Sequence, residues 1–334
     1  MNEIDWANWV IENSLNGVTK LTMINIMVQT GVPEDDAIAL VSNAASLPGY
    51  GLAKKLLHRY KKLASVMETL LTAQRHSPRR TVIEKIDIPD RETFLDKYWS
   101  ASQPVVLKNF AHDWPAMTKW DLDYFENTFG EEEVEVQMGR ETDPDFELNS
   151  SLHKVKIKLK EYIWLIKDNP ISNDYYMTAN NHTLKNDKFK AILQDAGSLP
   201  DYATNFTSDG NTHLWIGPQG TVTPLHHDET AIFHLQIKGR KHWKLISPLA
   251  APNLYNHINV FSPVDLENID YEKYPLMKNV DIMEVTVEEG EAIFLPVGWW
   301  HNVVSKDICI SLSFCGFVFP NAWNFVNPQE RMYP

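Results

Sequence analysis

Residues 220–248 read GTVTPLHHDETAIFHLQIKGRKHWKLISP, and residues 290–301 read GEAIFLPVGWWH. In a strand, side chains at positions i and i+2 share a face. His226 and Asp228 therefore aim together while His227 points away. The second stretch ends a strand at Pro296, turns, and opens the next strand at His301, which supplies a third donor. Short strands recur around these two stretches, among them 214–216, 232–237, 243–246, 283–287, 292–295, 302–304 and 308–314, with Gly217, Gly220, Gly239, Gly290 and Gly298 between them. Many short strands separated by glycine turns predict a sandwich or barrel.

Upstream the period changes. Residues 1–79 read as helices and 80–334 as the β domain, with Ser77-Pro78-Arg79-Arg80 as the boundary. Trp6, Trp9 and Val10 are spaced for one helix face, Lys20 to Gln29 forms a second helix, and Pro33 opens a third, followed by acids that complement the helix dipole. Leu52, Leu56, Tyr60, Leu63, Met67 and Leu70 form the apolar stripe of a long fourth helix with basic outer faces. Such a stripe has to be buried, by packing within the chain or as a dimer seam or partner dock. Three further stretches fill the middle of the chain: alternation over 81–88 and 104–107, a helix over 120–129, and Val134–Gln137 and Val155–Leu159 as strands before a helix at 162–166.

The bulk composition excludes several classes. Apolar residues make up 43% and charged residues 22%, which is ordinary globular usage. The net charge of −13 argues against a general binder of nucleic acid or anionic membrane. No apolar run reaches the roughly 20 residues of a membrane helix, and no basic leader precedes residue 10, so the expected compartment is the cytoplasm.

Two histidines and one carboxylate on one face of a metal leave its other positions open, as in non-haem iron(II) chemistry. A structural zinc site is closed by four ligands, commonly with cysteine; Cys309 and Cys315 have no partner at that spacing and read as strand-core thiols. Three protein ligands also suit catalytic zinc or manganese, so the residues alone leave the metal open. His153 and His242 lack a carboxylate at a useful spacing and read as ordinary surface or core histidines.

The His226-x-Asp228 pair, Lys241 after the Lys-Gly-Arg hairpin, and Gly298-Trp299-Trp300-His301 together resemble the Jumonji-C, cupin-like oxygenases, in particular the branch of the asparaginyl hydroxylase of hypoxia-inducible factor. The resemblance extends over roughly residues 80–320, including Gln103–Leu107 and Asp113-Trp114-Pro115. It implies a mainly β, double-stranded β-helix (jelly-roll) barrel behind an N-terminal helical domain. It also implies His226, Asp228 and His301 as iron(II) ligands, 2-oxoglutarate and dioxygen as cosubstrates, and Lys241, Thr223 and Tyr176 around the far carboxylate of the keto acid, with Tyr175 as the alternative register. Relatives often carry asparagines where this chain has Ile232 and Ser313; Ser313 is retained as a cofactor-side candidate.

Arg140, in GRETDPDFE (139–147), Trp215 and Trp300 are candidates for a substrate rim, set against a surface loop for the arginine and core packing for the tryptophans. The resemblance implies hydroxylation of a C–H bond in a peptide or protein side chain, with release of succinate and carbon dioxide. Hydroxylation of a small molecule, demethylation of N-methyl-lysine, and a non-catalytic metal-binding cupin are the alternatives. With the chain ending soon after its last strand, dimerisation is expected, if anywhere, through the N-terminal helices.

Overall fold

The computed structural model describes residues 5–77, 82–179, 181–206, 211–256, 258–323 and 326. Pro78, Arg79 and Arg80 of the expected boundary, and Thr81 of the expected strand, lie outside them. By internal contacts the chain divides into Met1–Leu70 and Leu71–Pro334.

The first unit is helical: α1 (Trp6–Leu15), α2 (Lys20–Gln29), α3 (Glu34–Ser42) and α4 (Tyr50–Gln74), the last turn of which belongs to the second unit. Asp5 and Thr19 cap α1 and α2 by accepting from the N–H groups of Asn8 and Thr22. Pro33 is the residue before α3 rather than its first. Val10, Met23, Met27, Ala37 and Val41 close a small core. Within its own unit the stripe on α4 is left largely exposed: Leu52, Leu56, Tyr60, Leu63 and Leu70 are each at least half exposed, and Met67 is half-buried.

The second unit opens with β1 (Glu84–Ile86), α5 (Arg91–Phe94) running into a π-helical turn at Leu95–Trp99, and β2 (Val105–Leu107). Next come α6 (Pro115–Lys119), α7 (Leu122–Phe129), β3 (Glu133–Met138), α8 (Ser150–His153), β4 (Lys154–Lys158), α9 (Leu159–Asp168) and β5 (Tyr175–Tyr176). The remaining strands are β6 (Thr212–Gly217), β7 (Val222–His227), β8 (Ile232–Lys238), β9 (Lys241–Ile246), β10 (Met283–Val287), β11 (Ala292–Leu295), β12 (Trp300–Ser305) and β13 (Cys309–Phe314).

They form a six-stranded sheet in the order β1-β2-β11-β8-β13-β6, a four-stranded sheet in the order β10-β9-β12-β7, and a small sheet β4-β3-β5. The cupin-like arrangement with N-terminal helices is present. The expected mainly β, closed barrel is corrected in two respects. The sheets remain separate, and helices contribute as much architecture as strands. The reason lies in the alternation of the large sheet. Phe233, Leu235 and Ile237 of β8, with Leu214, Ile216 and Leu312, face α5, α7 and α9 in the main core. The opposite face meets the four-stranded sheet, where Val106, Ile293 and Leu295 pack on Trp243 and Leu245 of β9. A sheet buried on both faces needs helices on one of them.

The 139–153 loop is closed by a pair the sequence reading did not foresee. His153 Nδ1 lies 2.9 Å from the Met138 carbonyl, and Nε2 lies 3.0 Å from Asp143 Oδ2. With an acceptor at each nitrogen the ring is held as imidazolium. His242 likewise meets Glu284, at 3.0 Å.

Two predictions follow from this packing. Phe94 is fully buried, stacked on Tyr202 at 4.0 Å and edge-on to Phe294 at 4.8 Å. Phe94→Ala is expected to cost roughly 3–5 kcal/mol in denaturant unfolding, whereas Leu152→Ala, at an exposed position, stays within about 0.5 kcal/mol. The second prediction concerns pH. Hydrogen bonds from His153, from Asn149 and from the Asp145 N–H hold the Asp143 carboxyl down at about 2, and Asp143 raises His153 above the ordinary histidine range. The lowered carboxyl stabilises the fold above its unfolded pKa of about 4, an effect lost as pH falls toward 2. The raised histidine stabilises it below its unfolded pKa of about 6.5, an effect lost as pH rises through the folded value. The latch is therefore fully set between about pH 4 and 6.5. An NMR titration should place the His153 midpoint above that of a free histidine, and Asp143→Asn should return it; an unmoved midpoint in the variant would disprove the pairing.

Candidate metal centre and keto-acid cavity

The antiparallel pairing of β12 with β7 sets His301 directly across from His226, with ring centroids 4.0 Å apart. Asp228 follows the end of β7, and its carbonyl accepts from the Gly298 N–H at 3.1 Å, which ties together the turns that bear the three donors. One donor atom from each residue lies within 4.8 Å of the other two. The carboxylate oxygens sit 3.9 Å from His226 Nε2 and 3.8 Å from His301 Nε2. The expected alternation holds for His227, whose ring meets Trp300 edge-on at 4.7 Å.

Both imidazoles are oriented by carbonyls. His226 Nδ1 is 2.8 Å from Pro224 O and His301 Nδ1 is 3.0 Å from Trp299 O. A carbonyl only accepts, so each ring carries its proton on Nδ1 and turns the Nε2 lone pair toward Asp228. Burial, with the neighbouring His226, pushes His301 well below the ordinary histidine range. Burial raises the Asp228 carboxyl, but its side chain is one-third exposed, so solvent softens that push. A divalent cation reverses the effect on the carboxyl. Two pre-oriented imidazoles and one carboxylate fit such a cation.

The triad lines a cavity of about 540 Å³ whose walls come from both large sheets. Lys241, at the start of β9, is 1% exposed. Its ammonium donates to Tyr176 Oη at 3.0 Å and contacts His234 Nε2 at 3.2 Å, and it lies 5.2 Å from the Trp215 ring centroid. No described carboxylate lies within ion-pair distance of it. A buried cation without an anion is costly, and a small carboxylate entering the cavity would relieve that cost. This fits the dicarboxylate that the resemblance implies.

The two candidate tyrosines have different partners. The Tyr176 hydroxyl meets the Lys241 ammonium, whereas the Tyr175 hydroxyl turns to the carbonyls of Leu165 and Asn169. A Cβ on Gly217 would lie 2.5 Å from the Tyr176 ring, so only glycine leaves that ring its space. Thr223 and Ile232 line the cavity, and so does Ser313, whose hydroxyl accepts from the Trp215 indole N–H at 2.8 Å.

Two of the three rim candidates are placed elsewhere. Arg140 is 1% exposed and acts as a strut: it donates to Val222 O at 2.7 Å, pairs with Glu147 at 3.2 Å, donates to Asn173 Oδ1 at 3.2 Å, and lies 5.3 Å from the Tyr176 ring centroid. Trp300 is buried in the cluster beneath the four-stranded sheet. Trp215 does line the cavity. Sequence reasoning missed His234, although it falls in phase with Ile232 and Gln236 on the inward face of β8. It also missed Gln137, a cavity-lining residue whose amide oxygen is buried without a partner.

Comparisons with known proteins agree with this geometry. The cupin-like domain family matches residues 91–315. The chain is 33% identical to JmjC domain-containing protein D of Dictyostelium discoideum, over 67% of this chain and 54% of that protein. It is 33% identical to lysine-specific demethylase 8 of Xenopus tropicalis, over 70% and 52%, and 30% identical to Jumonji C domain-containing protein 5 of Drosophila melanogaster, over 70% and 57%. The chain thus spans about half the length of these relatives. Their names are those of JmjC proteins and a lysine-specific demethylase, not of an asparaginyl hydroxylase, so the resemblance holds at the level of the family and not of that branch. With the His-x-Asp…His cluster on one face of the sandwich and the cupin-like match around it, the chain belongs to the JmjC, cupin-like family of iron(II)- and 2-oxoglutarate-dependent oxygenases.

Proposed function

We propose that this protein hydroxylates a C–H bond in a peptide or protein side chain, with His226, Asp228 and His301 holding iron(II) and Lys241 holding 2-oxoglutarate. The observation that carries the reading is the buried, anion-free ammonium of Lys241 in the same cavity as the triad. Iron(II) with 2-oxoglutarate and dioxygen supplies the oxidising chemistry, giving succinate and carbon dioxide as co-products. The chain's own residues bind and orient. The carbonyls of Pro224 and Trp299 accept from Nδ1 of the two imidazoles and so orient both Nε2 atoms toward Asp228. Lys241 neutralises the far carboxylate of the keto acid. Tyr176, which accepts from Lys241, keeps its own O–H free to donate to that carboxylate, and Thr223 stands on the same strand as the first ligand. Trp215 and Trp243 wall the cavity and limit water.

A peptide-sized substrate is favoured by a second cleft of about 820 Å³ that shares Glu147 and Phe261 with the metal cavity. A chain lying in this cleft can extend one side chain toward the triad. The helical unit, with its exposed stripe on α4, is assigned to substrate recruitment or dimerisation. Demethylation of an N-methyl group by the same oxidant is the second reading, favoured by the name of the Xenopus relative.

Iron-loaded protein incubated with 2-oxoglutarate and labelled dioxygen, separately with peptide or protein extract and with metabolite extract, is expected to place the label in a peptide side chain. Asp228→Ala should bind less than stoichiometric metal and reduce succinate formation to background. Label confined to small molecules would overturn the substrate class. Formaldehyde with loss of a methyl group would establish demethylation. Metal and keto-acid binding without succinate from any extract would indicate a binding protein.

A further inference from the structure

An ammonium has three N–H donors, and two of those on Lys241 are accounted for by the Tyr176 oxygen and His234 Nε2. A 3.2 Å contact between an ammonium and an imidazole nitrogen is attractive only when that nitrogen carries the lone pair. His234 is therefore the neutral, Nδ1-protonated tautomer. It is 3% exposed, lies between Trp215 and Trp243 with ring centroids 5.6 and 5.1 Å away, and pairs across the sheet with Ser313. Ile232, two residues earlier on the same face, offers no polar atom, so fixing the ammonium on this side falls to the imidazole.

We propose that His234 is a positioning residue for the keto acid: by accepting one N–H of Lys241 it fixes the direction of the remaining donor, and thereby the chain length of the dicarboxylate that the cavity takes. The inference rests on the reading of Lys241 as the keto-acid cation. With Tyr176 and His234 holding two N–H vectors, the third points one way, and the anion must meet it at one depth. A five-carbon keto diacid that spans from metal to ammonium gains the full charge-assisted bond. A longer or shorter one has to bend or fall short.

Direct binding separates the two claims. Manganese(II)-loaded protein, kept free of dioxygen, is titrated calorimetrically with 2-oxoglutarate and with 2-oxoadipate, which is one methylene longer. His234→Leu is expected to weaken 2-oxoglutarate binding roughly tenfold, the size of one lost hydrogen bond to a charged group, and to shrink the preference over 2-oxoadipate. His234→Gln, whose amide oxygen takes the place of Nε2, should restore both values; a merely structural role would not give that pairing of loss and rescue. If His234→Leu does not fold, His234→Asn, whose shorter amide cannot reach Lys241, takes its place with the same expectation. Wild-type affinity and preference in the Leu or Asn variant, with binding abolished in Lys241→Ala, would overturn the role of His234 and leave the keto-acid reading standing. Unchanged binding in Lys241→Ala would overturn that reading and the inference together.

Discussion

The pairing of β7 with β12 is the constraint from which the site follows. A slip of one residue would send His226 and His301 to opposite faces, and the register is pinned at both ends. At one end Ser305 and Thr221 exchange a backbone bond and a 2.7 Å hydroxyl contact, and Gly220 donates to Ser305 O. At the other, Gly298 donates to Asp228 O. A bulge between His301 and Val303 takes up the irregularity between these anchors, as bulges beside functional sites commonly do. Because β12 also pairs with β9, and Ser305 faces Lys241 across that ladder, the strand that positions a metal ligand also sets how far along the cavity the cation lies.

The large sheet provides the opposing wall under a different constraint. Its outward side chains must satisfy a helical layer and its inward ones a cavity, so each strand alternates between two interiors rather than between core and solvent. This is why β8 and β13 are buried almost end to end, and why polar inward residues such as His234, Gln236, Ser311 and Ser313 are tolerated there: Ser311 and Gln236 satisfy each other at 3.2 Å.

Much of this was legible in the sequence. The His-x-Asp spacing, the Gly-Trp-Trp-His turn and the strand-opening lysine are local patterns with fixed geometric meaning, and the helices of the first unit carry their caps and breakers beside them. What was not legible depends on residues distant in sequence. Arg140 sits in a run of acids that reads as a solvated loop, yet its partners Asn173 and Val222 are 33 and 82 residues away. Trp300 reads as rim because it precedes a ligand, but β12 alternation turns it away from His301. His153 could not be paired with Asp143 from spacing alone, because the loop that joins them follows no helical or strand period. The α4 stripe shows the converse limit: its periodicity was read correctly, and periodicity does not say whether anything covers it.

The two ends of the cavity differ in how they are held. All three triad residues lie on or beside one pair of strands in a single sheet. The lysine end is assembled from three sheets: Lys241 from the four-stranded sheet, His234 and Trp215 from the large one, and Tyr176 from the small one. β5 is only two residues long. It is held by pairing with β3, by the Met177–Ile216 bridge, by the bare face of Gly217 and by Arg140 behind the ring. Substitutions at the triad therefore break one rigid element, whereas the lysine end can exchange one neutral partner for another as long as the ammonium keeps its acceptors. Isoleucine at 232 gives the cavity no polar atom, and the polar contact to the ammonium on that face of β8 comes from His234, two residues further on.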